Sequence, residues 1–592
     1  MDDRATAVHV THEAAGKIGG IGAVLHGLFT CNAYLEAVQR SIIIGPLFSK
    51  DGCVSDRLGP DGHVLYSSPD GLTNTTQYQH EFHKIHNQYN AGIVYGTRTF
   101  TDPQTGISSD QEVLLIDVTN MYKAPVDTLK HLLFERFGVE SNLYEHLWEY
   151  EQYVRLALPA IAAVKAIGAA DDSTIIIAHE FMGMPTALAA ILDSSHGFKT
   201  AFYAHEVATI RLIVEKHPGH DTMFYNVLAK ARKAGLYLAD VFGDPRSYFK
   251  HPLVEACRNC DCILAVGDYA AEELRFLSPS FDTANINVVY NGVPAYETSL
   301  AEKIKSKTHL QSYCRNLLGF SPDYVFTHVT RLVTSKGLWR DLLVLKYMDE
   351  VFTREGKTAV FLLLSTQACQ RPSCDIQRME AAYGWPTAHR EGWPDLNDGE
   401  AEFYTAVQRF NTTSRNIKTV FINQFGFSRQ TCGNSVPKDI ELIDIRRGSD
   451  IEFGQSIYEP FGISQLETLT FGGLCVFTSV CGCAGFLADV TNGDSFGNFL
   501  VADYTNLNSH GPGNIDDLLK IDRLWGETTD AAVAGKVAEK VLAALPKNQA
   551  QAENMIETGY SLAKRMSWDV VVRNYLLPSL QIIGAKQASL PA

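Results

Sequence analysis

The heptapeptide Arg-Leu-Val-Thr-Ser-Lys-Gly occupies residues 331–337 and directly follows a β-rich run, Tyr324–Thr330. The run predicts a strand, and the heptapeptide predicts the turn from that strand into a helix. Ligands of open α/β sheets bind beyond the carboxyl ends of the strands, where Arg331 and Lys336 would suit a diphosphate. The alternative is that both cations are solvated surface charges. The stretch predicts a doubly wound α/β domain that binds an anion.

The same alternation of β-rich runs and helical patterns continues on both sides of this turn, and 592 residues are too many for one core. The turn signal at Tyr290-Asn291-Gly292-Val293, followed by proline, separates two series of strands. We predict domains at 1–293 and 294–565, with an insertion at about 367–449, and a C-terminal helix at 566–592. The strands are predicted at 6–12, 41–47, 93–99, 112–118, 174–179, 200–205, 262–266 and 287–290, then at 324–330, 358–364, 418–422, 474–478 and 498–502. The insertion would shape an acceptor site or an oligomer contact, or simply extend the sheet edge.

Composition excludes several classes of function. The net charge of −16, without a basic run, disfavours nucleic acid as a partner. No signal-peptide pattern and no membrane-spanning run of apolar residues is found, which predicts a cytoplasmic protein. The twelve cysteines predict reduced thiols, although the cluster at Cys257, Cys260 and Cys262 is a formal alternative as a metal site.

A second motif lies at residues 455–467, Gln-Ser-Ile-Tyr-Glu-Pro-Phe-Gly-Ile-Ser-Gln-Leu-Glu. Its Pro-x-Gly predicts Glu459 on a loop, and Glu467 is predicted one to two turns into the next helix. The amides of Gly462 and Ile463 would face a sugar or phosphate, and each carboxylate would accept hydrogen bonds from vicinal hydroxyls. Helix capping is the structural alternative for Glu459.

A glycine-rich loop follows the first predicted strand, with Lys17, Gly19 and Gly20 before a helical run that begins near Gly22. Glycines allow backbone amides to approach an anion, the helix N-terminus adds partial positive charge, and Lys17 adds a full one. By itself the loop also fits an ordinary strand-to-helix turn.

These motifs together resemble those of glycogen synthases. Glu459 and Glu467 match the Glu-x7-Glu motif of retaining GT-B glycosyltransferases, and the Lys17 loop resembles the Lys-x-Gly-Gly loop of glycogen and starch synthases. Residues 178–183 resemble the His-Glu-Trp segment of the animal and fungal enzymes, with phenylalanine in place of tryptophan. Residues 203–211 resemble their Thr-His-Ala…Gly-Arg segment, with isoleucine in place of the glycine before Arg211.

The resemblance implies a GT-B fold, in which two Rossmann-like domains face each other across a cleft and the C-terminal helix returns to the first domain. It assigns the transferred hexose to His179 and Glu459, and the nucleotide ribose to Glu467. The donor phosphates would lie at the helix N-terminus beside Glu459, with Arg211 as a further donor contact. Arg331 and Lys336 would neutralise the departing diphosphate.

The implied activity is retaining transfer of a hexose, first of all glucose, from a nucleotide-diphosphate sugar to an α-glucan. No metal and no cofactor are expected, because cations and helix termini would replace the metal. A small sugar or polyol acceptor, a non-hydrolysing sugar-nucleotide epimerase, a pyridoxal-phosphate-dependent phosphorylase and a catalytically silent glycan-binding protein are the alternatives. The nucleotide base and the oligomeric state, including a homo-oligomer, stay open.

Overall fold

The computed structural model describes residues 5–16, 19–59, 61–74, 76–507 and 511–581. The chain forms two compact units. Unit 1 contains the chain up to Ile210, residues 231–292 and the chain from Trp568 onward; unit 2 contains Arg211–Lys230 and Val293–Ser567. The sequence boundary near residue 293 therefore coincides with a change of unit, whereas residues 211–230, which we assigned to the first domain, cluster with unit 2.

Unit 1 is built on a nine-stranded sheet with the order β3-β4-β5-β2-β1-β6-β7-β8-β9. The strands are parallel except for the antiparallel pairs of β4 with β3 and with β5. Chain order reverses at β1, which lies between β2 and β6. The strands are β1 Ala5–Val10, β2 Val38–Pro46, β3 Gly62–Ser67, β4 Gly92–Thr101, β5 Ser108–Asp117, β6 Thr174–His179, β7 Lys199–Ala204, β8 Cys262–Ala265 and β9 Ile286–Val288.

Unit 2 contains a six-stranded sheet with the order β12-β11-β10-β13-β14-β15, and all of its pairs are parallel. Chain order reverses between β10 and β13, which are neighbours in space but not in sequence. The strands are β10 Tyr324–Arg331, β11 Ala359–Thr366, β12 Ile417–Ile422, β13 Ile451–Gly454, β14 Leu474–Thr478 and β15 Phe499–Ala502.

Side chains alternate across this second sheet and feed two separate cores. Phe326 and Phe361 point into one apolar cluster, and their neighbours Val325 and Val360 point into the other. Helices cover both faces, as expected for parallel strands that are buried on both sides. Both α/β units therefore have the doubly wound architecture that the sequence predicts.

The helices are numbered in chain order. They are α1 Gly20–Phe29, α2 Asn32–Ala37, α3 Gln79–Tyr89, α4 Lys123–Phe137, α5 Trp148–Ala166, α6 Glu180–Leu192, α7 Ala208–Lys216, α8 His220–Ala234, α9 Leu238–Phe242, α10 His251–Glu255, α11 Asp268–Leu277, α12 Leu300–Leu318, α13 Leu338–Glu355, α14 Ser373–Tyr383, α15 Asp398–Thr413, α16 Arg429–Cys432, α17 Leu442–Arg447, α18 Gly482–Thr491, α19 Ile515–Leu518, α20 Arg523–Ala544, α21 Gln549–Arg565 and α22 Trp568–Val571.

The C-terminal segment packs into unit 1. A Cβ atom placed on Gly27 would lie 2.1 Å from the indole of Trp568, and one on Gly292 would lie 2.4 Å from it. The Asp569 carboxylate accepts a hydrogen bond from the amide of Ala33 at 3.0 Å. The absence of a side chain at both glycines therefore leaves room for the indole.

Every predicted strand overlaps an observed one, and the observed sheets contain two more, β3 and β13. Strand β13 has the sequence Ile-Glu-Phe-Gly, and all four residues are buried, including the charged Glu452. Because the strand is short and contains a charged residue, no apolar run in the sequence marks it as a buried strand. The segment predicted as an insertion, 367–449, contains β12, which extends the sheet beside β11.

Candidate active site

The switch point of the second sheet brings the two unit 2 motifs together. Arg331 is the last residue of β10, and the loop that leads to Glu459 follows β13, the neighbour of β10. The carbonyl oxygen of Ser335 accepts hydrogen bonds from the amides of Ile457 at 2.8 Å and Tyr458 at 3.2 Å. Motifs separated by more than a hundred residues thus form one surface at the position where doubly wound sheets bind ligands.

Lys336 and Glu459 form an ion pair in this surface, with side chains that are only 15% and 13% exposed. Gly337, after the lysine, has a φ of +59°, and a Cβ there would lie 2.3 Å from the carbonyl oxygen of Gln455. Only glycine fits this turn without displacing the second loop. Arg331 is exposed and has no ion-pair partner among the described residues.

The loop after Glu459 offers backbone donors. Gly462 has a φ of +94° and precedes the 3-10 turn Ile463–Gln465. Neither the amide of Gly462 nor that of Ile463 finds an acceptor within the described part of the chain. The amides of Gly482 and Cys483 hold the loop by donating to the carbonyl oxygens of Glu459 and Phe461 at 3.1 and 2.8 Å.

The prediction of an α-helix between Glu459 and Glu467 is wrong. Residues 463–471 form two 3-10 turns, and the segment is bounded by Gly462 and by Gly472 with a φ of +69°. The Gln465 side chain turns inward and donates to the carbonyl oxygen of Gly454 at 2.8 Å, which attaches this turn to β13. The segment therefore offers the single amides of Gly462 and Ile463 in place of the expected helix N-terminus.

Glu467 belongs to a different ion-pair cluster from Lys336 and Glu459. It forms an ion pair with Arg446 at 2.5 Å, and the other end of that guanidinium contacts the buried Glu452 at 2.8 Å. Burial by itself would lower the pKa of Arg446, but the charges of Glu452 and Glu467 outweigh it and raise that pKa, so the guanidinium stays charged. The carboxylate of Glu467 is about one third exposed and can still accept a hydroxyl group.

A buried polar network supports the loop that carries Glu459. The Gln455 side chain donates to Asp341 at 2.9 Å and accepts from the hydroxyl of Tyr504 at 2.7 Å. The guanidinium of Arg340 lies 3.8 Å from the centre of the Tyr504 ring and binds both oxygens of Asp221 at 2.7 and 2.8 Å. Asp221 belongs to the 211–230 segment, so the same network attaches that segment to unit 2.

Arg211 lies on α7, where its Nε atom donates to Glu215 at 3.1 Å. The same Glu215 oxygen accepts from the amide of Ser335 at 3.2 Å. Glu215 therefore connects Arg211 to the turn that carries Lys336, although the two segments are far apart in sequence. The structure adds Glu215, which the sequence analysis did not single out.

In unit 1 the glycine loop is only partly described, because Lys17 lies outside the described residues. Helix α1 begins at Gly20, and the amides of Gly19 and Gly22 donate to one oxygen of Glu13 at 2.7 and 3.0 Å. Glu13 is buried. The amide of Gly19, which was predicted to bind an external anion, is thus bound to an internal carboxylate in this structure.

His179 lies at the end of β6 and is 0% exposed. Its Nε2 atom is 2.9 Å from Nδ1 of His9 on β1, and its Nδ1 atom is 2.8 Å from Nε2 of His205, directly after β7. Both ring nitrogens are therefore used inside the protein. Direct contact of His179 with a hexose, as predicted, would require one of these bonds to break.

The three histidines lie at the carboxyl ends of adjacent strands, beside the switch point of the first sheet. His9 continues inward to the hydroxyl of Tyr34 at 2.8 Å, and that hydroxyl is 3.0 Å from the hydroxyl of Ser41. Burial lowers the pKa of His9 and of His205 to about 3, and it lowers that of His179 well below its ordinary value. All three rings are neutral at physiological pH.

Glu180 follows His179 and has a φ of +59°, unusual for a residue with a side chain. Its buried carboxyl group accepts from the amide of Glu206 at 2.6 Å, which ties α6 to the residue after His205. Burial, followed by the nearby Glu206, raises the pKa of Glu180 well above its ordinary range. The backbone beside His205 is therefore held from within unit 1.

Sequence reasoning missed His9, Glu13, His205 and Glu215 as parts of these clusters. Among the described residues, no group of three or more His, Cys, Asp or Glu side chains is arranged to hold a metal ion. Cys257, Cys260 and Cys262 form no disulfide bond within the described part of the chain. Nor does any helix in the described ranges combine the length and apolar character needed to cross a bilayer.

Two doubly wound units of this kind define the GT-B fold. The chain is similar to the catalytic domain of starch synthase IV from Arabidopsis thaliana, solved with ADP and acarbose, at 14% identity, with 98% of this chain and 100% of that chain covered and a TM-score of 0.53. It is also similar to the N-terminal domain of trehalose-6-phosphate phosphatase from Candida albicans, at 9% identity, 98% and 97% coverage and a TM-score of 0.52. Identities this low show the fold alone. No model of a known protein family matches the sequence, and no curated protein sequence matches it.

Proposed function

We propose that this protein is a retaining glycosyltransferase that moves a hexose from a nucleotide-diphosphate sugar to a glycan acceptor. The observation that carries the proposal is the switch point of the second sheet. There Arg331, Lys336 and the open amides of Gly462 and Ile463 accompany a carboxylate, Glu459. Cations and free amides suit a diphosphate, and the carboxylate suits sugar hydroxyls or a developing positive charge.

In the proposed reaction, Arg331 and Lys336 stabilise the negative charge that grows on the diphosphate as the bond to the anomeric carbon breaks. The diphosphate would compete with Glu459 for Lys336 and would free this carboxylate to face the oxocarbenium-like sugar. Attack from the face that the diphosphate leaves, with a phosphate oxygen taking the acceptor proton, retains the anomeric configuration. No step needs a metal ion, because the protein's own cations act on the leaving group.

Glu467 is proposed to accept the ribose hydroxyls, with Arg446 holding its carboxylate in place. Arg211 is proposed as a further donor contact, since Glu215 links it to the turn that carries Lys336. Lys17, Gly19 and Gly20 are proposed to assist at the phosphates once Glu13 releases the loop amides.

In unit 1 we propose His205, rather than His179, as the histidine that contacts the sugar. Its Nδ1 atom has no hydrogen-bond partner among the described residues, whereas both nitrogens of His179 are bonded to other rings. His179 would then act through His205. The proposed sugar-contacting histidine is thus the one after β7 and not the one at the end of β6.

The hexose is proposed to be glucose and the acceptor an α-glucan, on the strength of the motif resemblance. A small sugar acceptor is the alternative. The deciding experiment incubates the protein with UDP-, ADP- and GDP-glucose and with GDP-mannose, each with glycogen, maltooligosaccharides or simple sugars, and measures nucleotide release with and without EDTA.

Nucleoside diphosphate release that requires both a donor and an acceptor, with an α-linked product from an α-donor, would support the proposal. The Lys336→Ala variant is the matched control and should lose most of this release. Conversion of the donor into an epimeric nucleotide sugar without any acceptor would favour an epimerase, and a β-linked product would refute retention. If the protein binds glycans but turns over none of the donors, the alternative of a catalytically silent glycan-binding protein would be supported.

A further inference from the structure

Tyr34, His9, His179 and His205 form a continuous hydrogen-bonded chain, here called the histidine chain. Its successive donor–acceptor distances are 2.8, 2.9 and 2.8 Å. Tyr34, His9 and His179 are buried, and only His205, at the far end, is partly exposed. The hydrogen-bond direction at buried Tyr34 can therefore affect His205 at the surface through three hydrogen bonds.

Each ring in the chain is neutral, so each carries one N–H donor and one bare nitrogen acceptor. A hydrogen bond between two neutral imidazoles needs one of each. If His9 donates from Nδ1, then His179 must accept at Nε2 and donate from Nδ1, and His205 must accept at Nε2. The polarity of one bond therefore sets the tautomer of all three rings.

Tyr34 decides between the two polarities. Its hydroxyl contacts Nε2 of His9 on one side and the hydroxyl of Ser41 on the other. A phenol is a stronger hydrogen-bond donor than a serine hydroxyl, and an imidazole nitrogen is a stronger acceptor than a phenol oxygen. The favoured arrangement has Ser41 donating to Tyr34 and Tyr34 donating to His9. All three histidines then carry their proton on Nδ1.

We infer that Tyr34 is a positioning residue that, through His9 and His179, holds His205 in the Nδ1–H tautomer. The free nitrogen of His205 is thereby a hydrogen-bond donor. It suits an oxygen acceptor on a ligand, such as a sugar hydroxyl or a phosphate oxygen, and it cannot serve as a base. The ligand part of this inference rests on the proposed function, whereas the tautomer part does not.

The chain offers a closely matched control in Tyr203. Its ring stacks on His205 with a centroid distance of 4.5 Å, and its buried hydroxyl has no hydrogen-bond partner in the described structure. Tyr34→Phe and Tyr203→Phe thus delete the same phenol oxygen, each beside a ring of the histidine chain. Only the first deletion removes the donor that orients the chain.

The test is ¹⁵N NMR of the full-length protein labelled at histidine, which reports the protonated ring nitrogen directly. Signals of the chain are assigned by comparison with His9→Asn and His205→Asn variants. The wild type and Tyr203→Phe should both show the Nδ1–H pattern for His9, His179 and His205. Tyr34→Phe should show a mixture of tautomers or the reverse pattern.

Steady-state kinetics with the active donor and acceptor provide the second readout. If Tyr34→Phe leaves both polarities equally populated, about half of the molecules present the donor, and kcat/KM falls at least about twofold. Tyr203→Phe should retain the wild-type value. A thermal melt of each variant checks that both fold.

An Nε2–H pattern for His205 in the wild type would overturn the inference without any variant. So would an unchanged Nδ1–H pattern in Tyr34→Phe. If no donor supports turnover but the tautomers follow Tyr34 as expected, the proposed function fails and the positioning role stands. If turnover is found while the tautomers ignore Tyr34, the inference alone fails.

Discussion

Acid should destabilise unit 1 through the histidine chain. The pKa of His9 falls from 6.5 to about 3 in the folded protein, because its ring is buried. Below pH 6.5 the unfolded chain binds a proton at this residue and the folded chain does not. The free energy of unfolding therefore decreases as the pH falls from about 6.5 toward 3, and it is unaffected by His9 above that range.

The magnitude follows from the shift. A pH of 5.0 is 1.5 units below the ordinary histidine pKa of 6.5, at which the unfolded chain binds its proton. At about 1.4 kcal/mol per unit, His9 alone should lower the free energy of unfolding by about 2 kcal/mol. His179 acts in the same direction, since burial, followed by the other histidines, lowers its pKa. The histidine chain as a whole should therefore lower the free energy of unfolding by more than His9 does alone.

Hydrogen exchange of peptides from β1 and β6 at pH 7.5 and 5.0, corrected for the intrinsic pH dependence, measures this loss within unit 1. The His9→Asn variant should lose about 2 kcal/mol less than the wild type between the two pH values. His131→Gln is the control, because that side chain is 66% exposed and lies outside the histidine chain. Equal pH dependence in His9→Asn and wild type would refute the reasoning.

Three further predictions concern unit 2. Lys336→Ala should raise the donor KM and lower kcat, with a loss of roughly 2–4 kcal/mol of transition-state stabilisation, and wild-type kinetics would show that the phosphates bind elsewhere. Glu459→Gln should act mainly on kcat and Glu467→Gln mainly on donor KM, because only Glu459 is proposed to face the reacting carbon; stability losses with intact turnover in both would contradict this. Asp221→Asn weakens one of the two carboxylate partners of the buried Arg340, while Asp530 remains, and should destabilise unit 2 by about 1.5–3 kcal/mol in urea unfolding, whereas an unchanged midpoint would argue against the network.

The strongest sequence predictions were those that depend on local pattern. The strand 174–179 was predicted with the bounds that the structure shows, because a continuous apolar run bounded by polar residues is typical of a buried parallel strand. The turn at Gly337 was also predicted locally, from glycine after a strand and two cations. Such features involve neighbours in the chain and are visible in the sequence alone.

Predictions that depended on long-range competition were weaker. The helix expected before Glu467 does not form: Gly462 and Gly472 have positive φ and bound the segment, and the Gln465 side chain attaches it to the carbonyl oxygen of Gly454 on β13. Strand β13 was missed because its buried Glu452 pairs with Arg446, which makes a charged residue compatible with the sheet interior. Both outcomes depend on partners that no local pattern specifies.

The sequence by itself determined the doubly wound character of both halves, because hydrophobic periodicity is visible in consecutive residues. Its short motifs also singled out Arg331, Lys336, Glu459 and Glu467 as candidate site residues. Only the tertiary structure decided the order of the strands, and with it which motifs meet. His9 and His179 are 170 positions apart yet bond at 2.9 Å, because β1 and β6 are neighbours at a switch point. Their shared burial, which keeps the rings neutral and coupled, is a property of the packed sheet and not of either strand.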